Sequence, residues 1–398
     1  MAQPIFRLYQ ARIQSAGRMN QREVMEPDIF APASNDSLTP TESAPPTARH
    51  RLPPRQHSMR GPRLTRGGPL TGVLALMLAL LPIVACSRPH LHDLLPPSAT
   101  PSAVVMANPN QVDLVKIAML APNDGWAVGA QGTILHYNGV SWSPVISPTD
   151  TDLLGISMAS PNEGWAVGAS HYSGTVQLGT LLHYSNGRWT MVPSPTTSYL
   201  DSIDMVSPTE GWAVGKDILH YSAGRWTKTP NPDGGQLSRS GVAMLSADTG
   251  WAVSSEGFIM QCSQGVWTDW SAPNPARKLY AVAMASPDEG WAVGEAYAAG
   301  GIPVNALLLH YSNQVWTAVQ VPATHYLYAI SMVSSSEGWA VGAGGTILHD
   351  SGGHWQAVTS PTPFTLRGIF MLSASEGWAV GVQGTILHFT HGEWVLYR

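Results

Sequence analysis

The sequence predicts an all-β fold, a seven-bladed β-propeller of four-stranded antiparallel blades, and three observations carry that prediction. First, Gly-Trp-Ala-Val-Gly begins at Gly125, Gly164, Gly211, Gly290, Gly338 and Gly377, and a seventh copy, Gly-Trp-Ala-Val-Ser, begins at Gly250. The tryptophans of these copies are 39, 47, 39, 40, 48 and 39 residues apart, a period that marks a repeat architecture. Second, each period holds four short apolar segments bounded by turn residues, and four antiparallel strands in about 40 residues make one propeller blade. Third, an open stack of such units would need polar capping repeats, and neither end of the array carries one, so closure into a ring is expected.

The second unit shows the elements in order. Its strands are expected at Leu153 to Met158, Gly164 to Gly168, Thr180 to Tyr184 and Trp189 to Val192, each rich in Ile, Val, Leu, Trp or Tyr. Ser160-Pro161-Asn162-Glu163-Gly164 joins the first two, with proline presetting φ and glycine closing the turn. Asn186-Gly187 joins the last two and supplies the positive φ of a two-residue hairpin. The first strand suits the inner position near the axis. Three and one residues before its Met the side chains are mostly small (Gly155 and Ser157, Gly241 and Ala243, Ala281 and Ala283), with Lys116, Asp204 and Phe370 as exceptions. A second tryptophan opens each fourth strand (Trp142, Trp189, Trp226, Trp267, Trp316, Trp355 and Trp394), and one pair of indoles per unit implies packing between neighbouring blades. Blades 7 and 1 both look whole, so the ring is expected to close by face-to-face packing, with residues 103–106 adding at most an edge strand.

Composition bounds the rest. Only 12% of residues are charged and the net charge is −5, which offers no basic field for nucleic acid. Residues 1–58 are rich in Pro, Ser, Arg and Gln without apolar periodicity and read as a disordered or untranslated extension, with Met59 as the expected start. Residues 59–86 read as an export signal: Arg60, Arg63 and Arg66 precede an apolar run from Leu70 to Ala85, shorter than the ~20 residues that span a bilayer. The run ends Ile83-Val84-Ala85-Cys86, which resembles the lipobox of bacterial lipoproteins. That resemblance implies lipidation of Cys86 and an extracytoplasmic location on the cell membrane or envelope. Residues 87–111, rich in Pro, Ser and Ala, form a tether, and 112–398 form the propeller. With Cys86 lipidated, Cys262 has no disulfide partner in the mature chain.

The repeat "GWAVG…GTILHYSNGRW" resembles the photosystem II stability/assembly factor family, and Tyr184-Ser185-Asn186-Gly187-Arg188-Trp189 looks like a worn Asp-box hairpin of sialidase-like propellers that has lost its Asp. The resemblance covers about residues 112 to 398. It implies a seven-bladed propeller and the chaperone-like logic of an assembly factor that binds a membrane-protein intermediate through an Arg-rich face. This propeller has few arginines (Arg188, Arg225, Arg239, Arg277, Arg367 and Arg398), so the client is not carried over.

The motifs that invite chemistry read as structural. His136, His183, His220, His310, His349 and His388, with Gln261 as the seventh, lie one per blade, so no three converge on a metal; a hydrogen-bonding role between blades is expected. Asp124, Glu163, Glu210, Glu289, Glu337 and Glu376 sit before the repeated glycine, where carboxylates cap turn N–H groups. A sialidase-like site would use Arg239, Arg277 and Arg367 with an acid such as Asp201, but no Glu accompanies a Tyr in the sequence there. No nucleophile elbow or phosphate loop occurs, so no enzyme activity, cofactor or metal is expected.

Function is expected on one face. Loops 2–3 and 4–1 share it, and from the second-strand Trp to the third-strand His or Gln the counts are 10, 18, 8, 10, 19, 10 and 10. Both insertions, around His171 to Leu178 and Ala296 to Asn305, therefore lie on that face. Its 4–1 loops carry the expected partner-binding residues Tyr199, Asp201, Arg239, Arg277, Lys278, Tyr280, Tyr326, Tyr328 and Arg367. The expected function is a membrane-anchored, monomeric, non-enzymatic scaffold for a protein partner. A glycan-binding or sialidase-like propeller and a structural envelope protein are the alternatives.

Overall fold

The structure, a computed structural model, describes residues 111–397 apart from 174–175, 272–276, 299–301 and 324. The readings of 1–58, the 59–86 signal segment with Cys86, and residues 103–106 lie outside the described residues. The described chain forms seven four-stranded antiparallel sheets, each built from four consecutive strands. Blade 1 comprises Leu114–Ala121, Asp124–Gly129, Ile134–Tyr137 and Trp142–Pro144, and blade 7 comprises Leu366–Ser373, Glu376–Gly381, Ile386–Thr390 and Glu393–Leu396. The first strand of each blade packs on the first strands of its two neighbours around the axis.

The second strand is buried on both faces because it lies between two neighbouring sheets, so it reads as an unbroken Trp-Ala-Val run rather than an alternating one. Both glycines around that run answer to close approach. A Cβ on Gly164 would overlap the thioether of Met158, which stands directly opposite on the first strand. A Cβ on Gly168 would strike the carbonyl oxygen of Asp152. The same Met-over-Gly contact recurs in all seven blades.

Tryptophans join the blades. Trp126 packs edge-on against Trp189 of the next blade at 5.6 Å and against Tyr184 at 4.6 Å. The closing pair repeats this geometry, with Trp378 of blade 7 at 5.6 Å from Trp142 and 4.8 Å from Tyr137 of blade 1. A hydrogen bond between blades is repeated as well: Gln131 N–H donates to the Asp152 carboxylate at 2.8 Å, and Gln383 N–H donates to the Asp113 carboxylate at 2.9 Å. Blades 7 and 1 thus meet as blades 1 and 2 do, and no strand is exchanged between them among the described residues.

Two expectations need correction. The histidines act within their own blades, not between them. Each stacks on the Trp of its own second strand, as His388 does on Trp378 at 3.9 Å, and its Nε2 bonds the acid before the glycine. His349 meets Glu337 at 2.7 Å and His388 meets Glu376 at 2.6 Å; His183 and His310 pair with Glu163 and Glu289 in the same way. The acids are therefore occupied by imidazoles. In six of the seven blades the turn N–H is capped instead by the serine two residues earlier, as Ser160 Oγ accepts from Asn162 N–H at 3.2 Å; blade 1 has Ala121 there.

The two insertions are not irregular loops. In blade 2, Glu163–Ser173 and Val176–Ser185 pair out to Ser173↔Val176, and in blade 5, Glu289–Ala298 and Ile302–Ser312 pair out to Ala298↔Ile302. Each insertion prolongs the central hairpin of its blade beyond the neighbouring blades.

Candidate functional site

The mouth of the axial channel is built by one irregularity repeated seven times. In each blade the pairing of first and second strands slips by one residue, between Leu114 and Lys116 in blade 1 and between Leu366 and Gly368 in blade 7. The skipped residue is a β-bulge, which leaves the ladder and re-aims its side chain. The bulged positions are Val115, Leu154, Asp201, Ser240, Tyr280, Tyr328 and Arg367. All seven line one cavity of about 350 Å³ together with Lys116, Tyr199, Ser238 and Ser255. Below it the channel proper, about 400 Å³, is walled by the small and aliphatic residues of the same strands, with Lys116, Asp204 and Phe370 reaching in. Its wall is tied from blade to blade, since Ser157 Oγ accepts from Met205 N–H at 3.0 Å and Asp204 from Met244 N–H at 2.8 Å.

Five of the nine partner-binding residues expected from sequence meet at this mouth: Tyr199, Asp201, Tyr280, Tyr328 and Arg367. Tyr280 and Tyr328 pack with ring centroids 5.1 Å apart, Tyr326 closes on Tyr328 at 6.0 Å, and the Arg367 guanidinium lies 5.7 Å over the Tyr328 ring. Lys278 is outside the cavity lining, half exposed, with its ammonium 3.3 Å from Glu295. Arg277 turns toward blade 4 and donates to the Gly257 carbonyl at 3.2 Å.

Arg239 does not face the mouth. It occupies the position held by leucine in the other six blades (Leu114, Leu153, Leu200, Leu279, Leu327 and Leu366) and is 0% exposed. Its guanidinium donates to Asp233 at 2.5 Å and to the Leu237 carbonyl at 3.1 Å. Burial alone would raise the Asp233 carboxyl, but Arg239 and the N–H groups of Gly235 and Leu237 hold it below the usual range. A charge in a leucine slot needs such an internal partner, so Arg239 is unavailable to a ligand.

Sequence spacing also missed the residues that reach the mouth from outside the 4–1 loops, chiefly Lys116 and Ser255. It missed a Tyr–Glu pair too. Tyr280 donates to Glu295 at 2.8 Å, and the Tyr297 hydroxyl donates to the same carboxylate oxygen. Glu295 lies on the second strand, 15 residues from Tyr280, and only strand pairing brings them together. Burial first, then Glu295, pushes the Tyr280 hydroxyl far above its ordinary range, which is the wrong direction for a nucleophile. Of the three arginines that a sialidase-like triad would need, only Arg367 lines the mouth.

Electrostatically the mouth is divided. Burial pushes the Asp201 carboxyl up to about 6, opposed by the hydrogen bond from Ser238 Oγ at 3.0 Å and helped by Glu256. Burial pushes the Lys116 ammonium down. Among the described residues no group of three or more His, Cys, Asp or Glu side chains is placed to hold a metal. Buried Cys262 has a thiol raised by burial to about 12, which leaves it inert.

A scan against protein-family models finds no match for this chain, and a search of curated proteins finds none. Solved structures do match. YCF48 from Cyanidioschyzon merolae superposes with a TM-score of 0.57 at 19% identity, over 73% of this chain and 98% of that one. This chain has the fold of YCF48. A second structure, YCF48 bound to D1 peptide, gives 0.55 at 18% identity over 70% and 92% of the two chains. The WD40 β-propeller domain of Doa1 gives 0.54 at 10% identity over 70% and 93%. The photosystem II assembly-factor resemblance read from the repeats thus holds at the level of the fold.

Proposed function

We propose that this chain is a non-enzymatic scaffold, held on the outer side of a cell membrane by lipid chains on Cys86, that binds a protein partner across the mouth of its propeller. The observation that carries the reading is the set of seven bulges. Neighbouring positions of the repeat are nearly uniform, six leucines before the bulge and seven Ile or Val residues two after it, yet the bulged residues are Val, Leu, Asp, Ser, Tyr, Tyr and Arg. A repeat that keeps most of its packing positions alike and varies every side chain aimed into the mouth is suited to recognition. Tyrosines beside separated charges suit a protein surface, where aromatic and Arg side chains concentrate binding energy. The D1 peptide on the fold-mate YCF48 supports a peptide as the thing bound. The lipobox at Ile83 to Cys86 and the tether behind it support the anchor.

The test is capture of partners from detergent-solubilised membranes by the full-length chain carrying an affinity tag. Tyr328→Ala with Arg367→Ala should abolish a capture that Asn186→Ala, on the opposite face, leaves intact. Equal capture by both variants would remove the mouth as the binding surface.

A further inference from the structure

Asp201 is on blade 3 and Arg367 on blade 7, three blades apart, the widest separation a seven-membered ring allows. The two prolonged hairpins stand on blades 2 and 5, also three blades apart, and the line joining them crosses the line from blade 3 to blade 7. The hairpins therefore wall a trough that runs over the mouth from Asp201 to Arg367. Ser238, Ser240 and Ser255 surround its acidic end, and Lys116 stands beside Arg367 at its basic end, where blade 1 adjoins blade 7. The Tyr280 and Tyr328 rings lie along one side and Val115 and Leu154 along the other.

Among the described residues the charges at the two ends lack salt-bridge partners. Outside the lining of the mouth, Lys228 pairs with Asp217 at 2.8 Å, Arg239 with Asp233 at 2.5 Å and Lys278 with Glu295 at 3.3 Å. Asp201, Lys116 and Arg367 have no salt bridge among the described residues. Among the described residues Asp201 receives one hydrogen bond, from Ser238, on Oδ2. A half-buried carboxylate with an open oxygen calls for a cation, and a cation pair at the far end calls for a carboxylate.

Resting on the mouth as the binding surface, we infer that the occupant is an extended peptide segment of dipolar sequence, with a Lys or Arg side chain on Asp201 and an Asp or Glu side chain on Lys116 and Arg367. Apolar or aromatic residues between them lie on the tyrosine rings. Opposite charges at the two ends fix the direction of the segment and reject segments of a single sign, because a like charge then faces a half-buried group.

Blocked, fluorescein-labelled peptides carrying one Lys and one Glu, separated by three to seven Ala, Ser or Val residues, are titrated with the full-length protein and read by anisotropy. One spacing should bind best, and its affinity should fall with salt. Asp201→Asn keeps the acceptor for Ser238 and should weaken that peptide about tenfold or more, an ordinary loss for a close charge pair. The same substitution should change nothing for the peptide whose Lys is norleucine. Arg367→Met should behave likewise toward Glu and Gln peptides. Equal losses for charged and neutral peptides, or equal binding by all-Lys and all-Glu peptides, overturn the inference. If no peptide binds while Tyr328→Ala with Arg367→Ala still abolishes partner capture, the dipolar segment is wrong and the mouth stands; if capture also survives, both fall.

Discussion

Replacing Gly164 by alanine should have opposite signs in two backgrounds. Met158 stands directly across from Gly164, and its thioether fills the space that a Cβ would take; the next obstacle, the Ser157 carbonyl oxygen, is 3.3 Å away. Gly164 φ lies outside the left-handed region, so alanine fits the backbone. In the natural chain the added methyl must displace a buried Met, and overpacking of that kind costs about 1–3 kcal/mol. The more restricted unfolded chain returns about 0.4–1 kcal/mol, leaving a net loss of about 1 kcal/mol. With Met158→Ala, which alone costs about 2–3 kcal/mol as a buried large-to-small change, the space is empty. Gly164→Ala should then stabilise by roughly 0.5 kcal/mol or more, because only the unfolded-state gain and new packing remain. Urea titrations followed by tryptophan fluorescence on the four proteins give both signs. If Gly164→Ala costs the same with and without Met158, the Met-over-Gly contact is not what keeps glycine in the repeat.

Asp350 occupies the third-strand position held by Tyr137, Tyr184, Tyr221 and Tyr311, and it is fully buried; burial first, then Glu337, raises its carboxyl. An acid raised in the folded state lowers stability once pH exceeds its unfolded value, so Asp350→Tyr should stabilise by about 1–2 kcal/mol at pH 7, and by less at pH 4. Thermal melts at both pH values check this. The Asp201 carboxyl, raised to about 6, follows the same sign: its cost is absent below pH ~4 and complete above pH ~6. Asp201→Asn should therefore stabilise the unliganded protein at pH 8, by at most about 2–3 kcal/mol, and converge with the natural chain near pH 4; a pH-independent difference would contradict the assignment. Cys86→Ser should leave an unprocessed precursor or release the domain, since stable anchoring needs more than one acyl chain. Membrane fractionation with mass determination of the N-terminus reads that outcome, and unchanged partitioning and processing would count against the anchor.

The fold was legible because its determinants are local and repeated. A strand buried on both faces has to read Trp-Ala-Val, and a two-residue turn has to place residues such as Asn186 and Gly187 at positive φ, 51° and 75° in the structure. The site was legible only in part. Tyr280, Tyr328, Asp201 and Arg367 stood out as irregular residues in a regular repeat. Arg239 stood out too, but alignment against the six leucines at its position marks it as buried. The Glu295–Tyr280 pair and the partners of the six histidines depend on strand register, which spacing within one strand does not reveal. The bulges leave no mark in length because every blade carries one at the same place. The hairpins were visible as extra residues, but their pairing follows from the continuation of two strands already in register.

The central claim, that a partner is held at the mouth of the propeller, is tested most directly by photo-crosslinking in intact membranes. A benzophenone side chain is placed at Tyr199, 38% exposed on the mouth rim, or at Asn186, exposed on the opposite face, in the full-length chain. Irradiation should give a discrete heavier adduct from position 199, lost when Tyr328→Ala and Arg367→Ala are added, and none from position 186. An adduct from position 186 alone, or one from position 199 that survives those substitutions, would contradict the account.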